Sequence, residues 1–418
     1  MLQLQCMCKR KGRLNLAEKK RIIWIDQLRG LAFYTVILGH MSIGKGLKTW
    51  MYSFHMPLFF MISGLNLNVE RIYKTSFKDY ALRLAKKMLV PYVWLQMLSF
   101  LLRLVVALIK DKVVPVREYL IGMVVGNNNI IGAPSNPLYY VLLLFLAQLG
   151  LWFVVRAARA NKGLIGVILS VLSVGSVCLQ KIDIPWHINV VPTAMLLIFI
   201  GRLLMDAYLP LSEKLQKMNR GVYFGITAVL LGVGYILSRY NGRISIHGNY
   251  YGKEFIIFLV CAVASSVAIA MLVMLLPESK ALTFIGANTF FYMGIHKPLL
   301  LVFEALAGKN EDHPVFLIVG SLVCFFGLMP VAWFFSKFMP YTCGNNIREE
   351  TVAIKIFKYI AVASSGIVPY YALVENYIVG STVKIVIAFA FYAVIVVATE
   401  MIFTKYLPFM FLKEERRR

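Results

Sequence analysis

Arg29 and His40 bracket the stretch RGLAFYTVILGH, in which ten residues that a bilayer would accept separate a guanidinium from an imidazole. In an α-helix the eleven steps between them turn three times plus about 20° and rise roughly 16 Å, so both side chains face the same way. Asp26, three residues before Arg29, falls near that face. Charged groups at membrane depth cost several kcal/mol unless they line a cavity or meet a partner. Two readings follow. Either Asp26 and Arg29 pair at the interface while His40 ends the helix at the far surface, or the face is a polar channel that runs from a cytoplasmic anion site to a proton acceptor.

A second imidazole, His55, stands in WMYSFHMPLFFMISG (50–64), only a short loop beyond His40. Two histidines near one level point to proton chemistry, because an unperturbed imidazole titrates close to neutral pH. His55, just before Pro57, also reads as an ordinary residue near a helix start. Further on, His296, Tyr292 and Thr289 are spaced to share one helical face, with Pro298 just beyond, either as the far wall of a site or as a histidine satisfied by Tyr292 within the bundle.

The elements that must hold these groups are membrane spans. Of 418 residues 59 % are hydrophobic and 15 % charged, with a mean hydropathy of +0.71, and apolar runs of about twenty residues recur between short polar loops. The pattern predicts an all-α, polytopic transmembrane helical bundle with spans at 22–41, 50–68, 88–109, 137–155, 163–180, 188–206, 221–238, 255–276, 282–306, 315–336, 352–374 and 383–404. The first ten form a core over 22–340. The last two belong to a C-terminal part, 341–418, and residues 1–21 form a basic cytoplasmic tail without a cleavage site. With the N-terminus inside, the external loops hold 10 of the 44 Lys and Arg, which places both termini in the cytoplasm of a multi-pass cell-membrane protein. The net charge of +24 is spread loop by loop and forms no single basic face, so anionic lipid headgroups are the expected partner and nucleic acid is not. The six cysteines, Cys6 and Cys8 in the tail among them, form no disulfide framework, and no histidine and carboxylate spacing suggests a metal.

RIIWIDQLRGLAFYTVILGHM (21–41) followed by YSFHMPLFFMISG (52–64) resembles the opening of the acyltransferase family 3 membrane proteins, and especially their fucose 4-O-acetylase-like branch. The family's arginine, ten residues, histidine signature is met by Arg29 and His40. RLAKKMLVPYVW (83–94), NPLYYVLLLFLAQL (136–149, with Tyr139 where the family has tryptophan) and LTFIGANTFFYMGIHKPLL (282–300) resemble later family segments in the right order. The two spans after PYTCGNNIREE (340–350) exceed the family's core of about ten.

The resemblance implies an acyl-CoA-dependent O-acyltransferase that takes an acyl group, usually acetyl, from coenzyme A in the cytoplasm to a sugar hydroxyl on a cell-surface or lipid-linked carbohydrate or glycolipid. On that reading the donor phosphates meet Arg29, Arg83, Lys86 and Lys87, because guanidinium clamps phosphate with paired hydrogen bonds. His40 is the general base and His55 assists it, while Asp26, Tyr292 and His296 face the acceptor. Direct transfer and an acyl-enzyme both remain open.

Arg103 and Glu304 read as snorkelling residues, as an ion pair or as sugar contacts. The amide- and tyrosine-rich loops 126–136 and 239–252 are candidates for carbohydrate contact, and His187, His247 and His313 are expected to be solvated. The competing reading is a proton-coupled secondary transporter or flippase. It would need two related halves, and the seventh span, GVYFGITAVLLGVGYIL (221–237), has no counterpart to the polar first one.

Overall fold

The computed structural model describes residues 22–41, 43–109, 116–127, 138–307, 314–347, 349–374 and 382–411. The tail with Cys6 and Cys8, most of loop 126–136, His313 and the side chains of Arg103, Pro298 and Glu304 lie outside the described residues. Among the described residues the regular elements are helices, and an isolated bridge pairs Ser245 with Tyr250.

Helix α1 (Ile23–His40) is followed by α2 (Lys45–Leu65), the short α3 (Val69–Lys74), α4 (Phe77–Ile109), α5 (Val116–Val125), α6 (Tyr139–Ala157) and α7 (Lys162–Val177). A 3-10 turn, Pro185–Val190, leads into α8 (Val191–Lys217), α9 (Arg220–Asn241) and α10 (Phe255–Leu275). The remainder comprises α11 (Lys280–Ala287), α12 (Thr289–Ala307), α13 (Pro314–Gly327), α14 (Met329–Phe338), α15 (Val352–Val374) and α16 (Thr382–Met401). Five helical segments among the described residues are long and apolar enough to cross a membrane, namely Tyr139–Ala157, Pro185–Lys217, Arg220–Asn241, Phe255–Leu275 and Val315–Phe338. The first helix carries Asp26, Gln27, Arg29 and His40, and the second starts with two lysines, so each trades apolar length for polar groups at its ends.

The helix α2 lies at the centre, packed by α1, α8, α9 and α10, and α1 is in turn enclosed by α2 and α10 to α13. Lipid is as apolar as leucine, so this packing depends on close fit and on polar contacts between helices. Two crossings bring backbone against backbone. A Cβ on Gly64 of α2 would collide with the Ile198 carbonyl of α8, and one on Gly201 with the Met61 carbonyl of α2. A Cβ on Gly286 of α11 would likewise strike the Asp26 carbonyl of α1, and one on Gly30 would stand 2.6 Å from the Leu282 carbonyl. Hydrogen bonds then fix rotation: Trp50 Nε1 donates to Ser265 Oγ at 2.9 Å, Tyr34 and Ser321 hydroxyls meet at 3.0 Å, and Gln27 Nε2 donates to the Pro277 carbonyl at 2.9 Å.

Three expectations change. The span 282–306 is two helices that meet at Asn288, whose side-chain amide donates to the Phe284 carbonyl at 2.9 Å and so competes with continued helix. The span 88–109 is the later part of a 33-residue helix, about 50 Å long, whose first turns stand beyond the apolar run. Loop 239–252 is not an open polar surface. The amides of Asn241 and Asn249 donate to the carbonyls of Tyr251 and Ser176, both at 2.8 Å, and the Tyr251 hydroxyl meets Thr193 at 2.9 Å, all fully or almost fully buried.

The C-terminal α15 and α16 pack on each other, and a second apolar cluster around Trp94, Tyr341, Ile354, Phe403 and Phe411 joins this region to α4. Trp94 Nε1 donates to the Met410 carbonyl at 2.9 Å. Replacing Gly64 or Gly286 by alanine should force these crossings apart at a cost of roughly 1–3 kcal/mol, read as a lower melting temperature of the detergent-purified protein, whereas Gly225→Ala, with open space around it, should leave it unchanged.

Candidate functional site

His40 is the last residue of α1 and half-buried. Its ring centroid lies 5.4 Å from that of His296, with the planes tilted by 37°. His296 is fully buried in α12, where its Nδ1 stands 3.1 Å from the carbonyls of Tyr292 and Met293. A carbonyl accepts only, so Nδ1 carries the proton and Nε2 is left as the basic nitrogen. That Nε2 is buried without a hydrogen-bond partner, as is the Tyr292 hydroxyl. The expected satisfaction of His296 by Tyr292 therefore runs through the backbone carbonyl and not the phenol.

His55 follows the same logic in α2. Its Nδ1 donates to the Met51 carbonyl at 2.6 Å, so its Nε2 is the basic nitrogen too. The ring lies beside α1, where a Cβ on Gly39 would stand 4.0 Å from His55 Cε1. Lys48 and Lys297 are within electrostatic reach of His40. The break at Asn288 allows this arrangement, because α11 crosses α1 near Asp26 and α12 meets it again near His40. Thr289 contributes only to the break, its hydroxyl donating to the Gly286 carbonyl at 2.7 Å.

The other end of α1 is built differently. Arg29 Nη1 donates to Asp26 Oδ1 at 2.9 Å, with the carboxylate side chain 4 % and the guanidinium side chain 32 % exposed. Tyr140 of α6 lies within electrostatic reach of Arg29. Between the two ends the face is closed. Phe33 is fully buried against Tyr292 and His296, with ring centroids at 5.3 and 5.5 Å, and Val36, on the same face, is almost fully buried. Among the described residues the polar face expected along this helix is interrupted, with Phe33 and Val36 packed between Arg29 and His40. Phe33, four residues after Arg29, was legible in the helical spacing as a residue of that face.

Of the basic stretch on α4, Arg83 is exposed with its guanidinium 5.6 Å over the Tyr80 ring, Lys86 is half-buried and Lys87 is exposed. A cavity of about 620 Å³ opens beside the start of α1, lined by Ile23, Glu278, Ser279, Lys280, Asn288 and Asn345 among others. The residue next to Asn345, Gly344, sits on the Lys87 carbonyl, 3.2 Å from where a Cβ would stand, so the cavity adjoins the basic turn of α4. Sequence reasoning passed over Lys280 and the Ser279 N-cap, whose hydroxyl accepts from the Leu282 amide at 3.3 Å.

The expected solvation of His187 is corrected. It is 4 % exposed, whereas His247 is exposed. Cys178 is exposed, while Cys261, Cys324 and Cys343 are free and buried, and among the described residues no group of three His, Cys, Asp or Glu could hold a metal.

A helical, multi-pass membrane protein whose first helix ends in a cluster of imidazoles is the class defined so far. A family model described as an acyltransferase domain, that of acyltransferase family 3, matches residues 22–337, about three quarters of the chain. The chain belongs to that family of membrane acyltransferases. No curated protein and no solved structure matches it.

Removing Arg29 alone leaves the Asp26 carboxylate without this partner in a buried setting. Arg29→Ala should therefore lower stability by roughly 1–3 kcal/mol, and Asp26→Asn/Arg29→Gln should restore most of it, as measured by thermal melting in detergent.

Proposed function

We propose that the protein is an O-acyltransferase that moves an acyl group, acetyl in the simplest case, from cytoplasmic acyl-CoA to a hydroxyl of a cell-surface or lipid-linked carbohydrate, with His40 as general base. The observation that carries this reading is the grouping of His40 with His55 and His296 at one end of α1, in a chain that belongs to an acyltransferase family.

The two buried histidines are tied to backbone carbonyls through Nδ1 and hold their Nε2 atoms free. His40 has no such tie and is the one of the three that is only half-buried, so it is the group placed to exchange a proton with a substrate. The acceptor hydroxyl oxygen attacks the thioester carbon as His40 takes its proton. The carbon–sulfur bond then breaks, the ester remains on the sugar, and the imidazolium returns the proton to the departing sulfur to give free coenzyme A. Lys48 and Lys297 favour the negative charge that builds on the thioester oxygen.

We assign the donor's nucleotide end to the cavity beside the start of α1, where Lys280 supplies a cation for phosphate beside Glu278 and the backbone of Lys87 on α4 approaches through Gly344. Arg29 then lies between nucleotide and histidines. The pantetheine arm reaches His40 along the α1 face once Phe33 swings aside, which keeps the two sides of the membrane sealed when no donor is bound. With the termini in the cytoplasm, the helices after residue 340 brace α4 through Trp94.

His40→Ala should abolish O-acetylation while the protein still inserts and melts as the parent does. The check is mass spectrometry of surface glycan from cells that carry the parent gene, the variant or neither. Glycan from the variant cells as fully acetylated as that of the parent would overturn the role of His40.

A further inference from the structure

A second group of aromatic and titratable side chains stands on the His40 side, in and beside the loops that the sequence offers for carbohydrate contact, and it includes His187 and His247, which the sequence alone reads as solvated. Tyr139, at the start of α6, has its ring centroid 5.3 Å from that of His187 and 5.8 Å from that of His247, and the two imidazoles are 6.4 Å apart. His187 is held there by force. It and Trp186 both adopt left-handed backbone, φ 51° and 58°, two successive non-glycine residues in a region that L side chains avoid. Such strain persists only where surrounding contacts over-determine it, and it collects at functional sites. Here Trp186 Nε1 donates to the Val124 carbonyl at 2.5 Å, and the Asn189 amide donates to the carbonyls of Ile182 and Leu179 at 2.9 and 3.2 Å.

This group is continuous with the histidines at the end of α1. Tyr52 packs edge-on against His55 at 5.0 Å and lies 3.5 Å from where a Cβ on Gly39 would stand. Neither the Tyr52 nor the Tyr139 hydroxyl bonds to any described residue, and both side chains are partly open. The charges around them are unequal. Arg243 is within electrostatic reach of Tyr52 and His247, Lys297 of His40, His296 and His247, and Lys48 of His40; among the described residues the carboxylate that faces the group is Asp183, near His187 and His247.

Resting on the function proposed above, we infer that Tyr52, Tyr139, His187 and His247 form the acceptor subsite, and that Arg243 and Lys297 select a glycan that carries an anionic group, carboxylate or phosphate, close to the hydroxyl to be acylated. Aromatic faces stack on sugar rings, the two phenols and the imidazoles hydrogen-bond sugar hydroxyls, and an excess of cations on one wall favours an anionic neighbour. The extra charge makes recognition salt-sensitive, since exposed charges such as Arg243 are screened beyond about 10 Å at 0.1 M ionic strength.

The test uses the full chain in lipid nanodiscs with labelled acetyl-CoA. The acceptor is surface glycan from the cells in which the chain is native, stripped of O-acetyl groups by mild base. It is supplied in three forms: untreated, with carboxylates reduced to alcohols, and with phosphates removed by hydrogen fluoride. We expect transfer to the untreated glycan and a drop of at least tenfold in kcat/KM in whichever treated form has lost the anion, so the two arms tell carboxylate from phosphate. Arg243→Gln and Tyr139→Phe should each raise KM for the glycan several-fold and leave KM for acetyl-CoA in place. Equal transfer to all three forms, or wild-type glycan KM in both variants, overturns the inference while the acyltransferase reading stands. Donor turnover with no transfer to any form overturns that reading and this inference together.

Discussion

Two close crossings of backbone on backbone, α2 with α8 at Gly64 and Gly201 and α1 with α11 at Gly30 and Gly286, are the constraint on which the rest of the bundle depends. In lipid, apolar side chains gain little by leaving one hydrocarbon surface for another, so helices associate where small residues let their backbones approach and where polar groups meet. These four positions set the depth and rotation of α1 and α2. The hydrogen bonds of Trp50 to Ser265 and of Gln27 to the Pro277 carbonyl act on helices already brought together in this way.

The polar groups of α1 are then handled locally. Asp26 and Arg29 settle their charges on each other, and His55 and His296 settle one ring nitrogen each on their own helix. What stays unsettled is informative: His296 Nε2 and the Tyr292 hydroxyl are buried polar atoms with no partner, beside a His40 that has no hydrogen bond of its own. Native proteins rarely leave such atoms unpaired, and those that remain deserve an explanation in water or substrate. Phe33 between the two ends of the helix completes the arrangement, a ring packed on three aromatic neighbours that separates the Asp26–Arg29 end from an imidazole cluster.

The sequence carried much of this. The first span drawn at 22–41 is the helix Ile23–His40, and the spacing of Arg29 and His40 placed both on one face. It did not reveal the break at Asn288, because a side-chain amide that bonds back four residues looks like any polar residue in an apolar run. The buried amides of Asn241 and Asn249 and the strained His187 were equally hidden. Loop composition reports exposure only on average, whereas these residues satisfy particular carbonyls of α7 and of their own loop. The seal at Phe33 is written in the helical spacing from Arg29, yet its residue type does not set it apart from the other apolar residues of the helix.

The most direct test is a structure of the protein in nanodiscs with a thioether analogue of acetyl-CoA that cannot transfer its acyl group. The account predicts the nucleotide end beside Lys280 and Lys87, the Phe33 ring displaced, and the acyl carbonyl carbon within about 4 Å of the ring of His40. An analogue bound with its acyl end away from the three histidines, and Phe33 still packed against Tyr292, would contradict it.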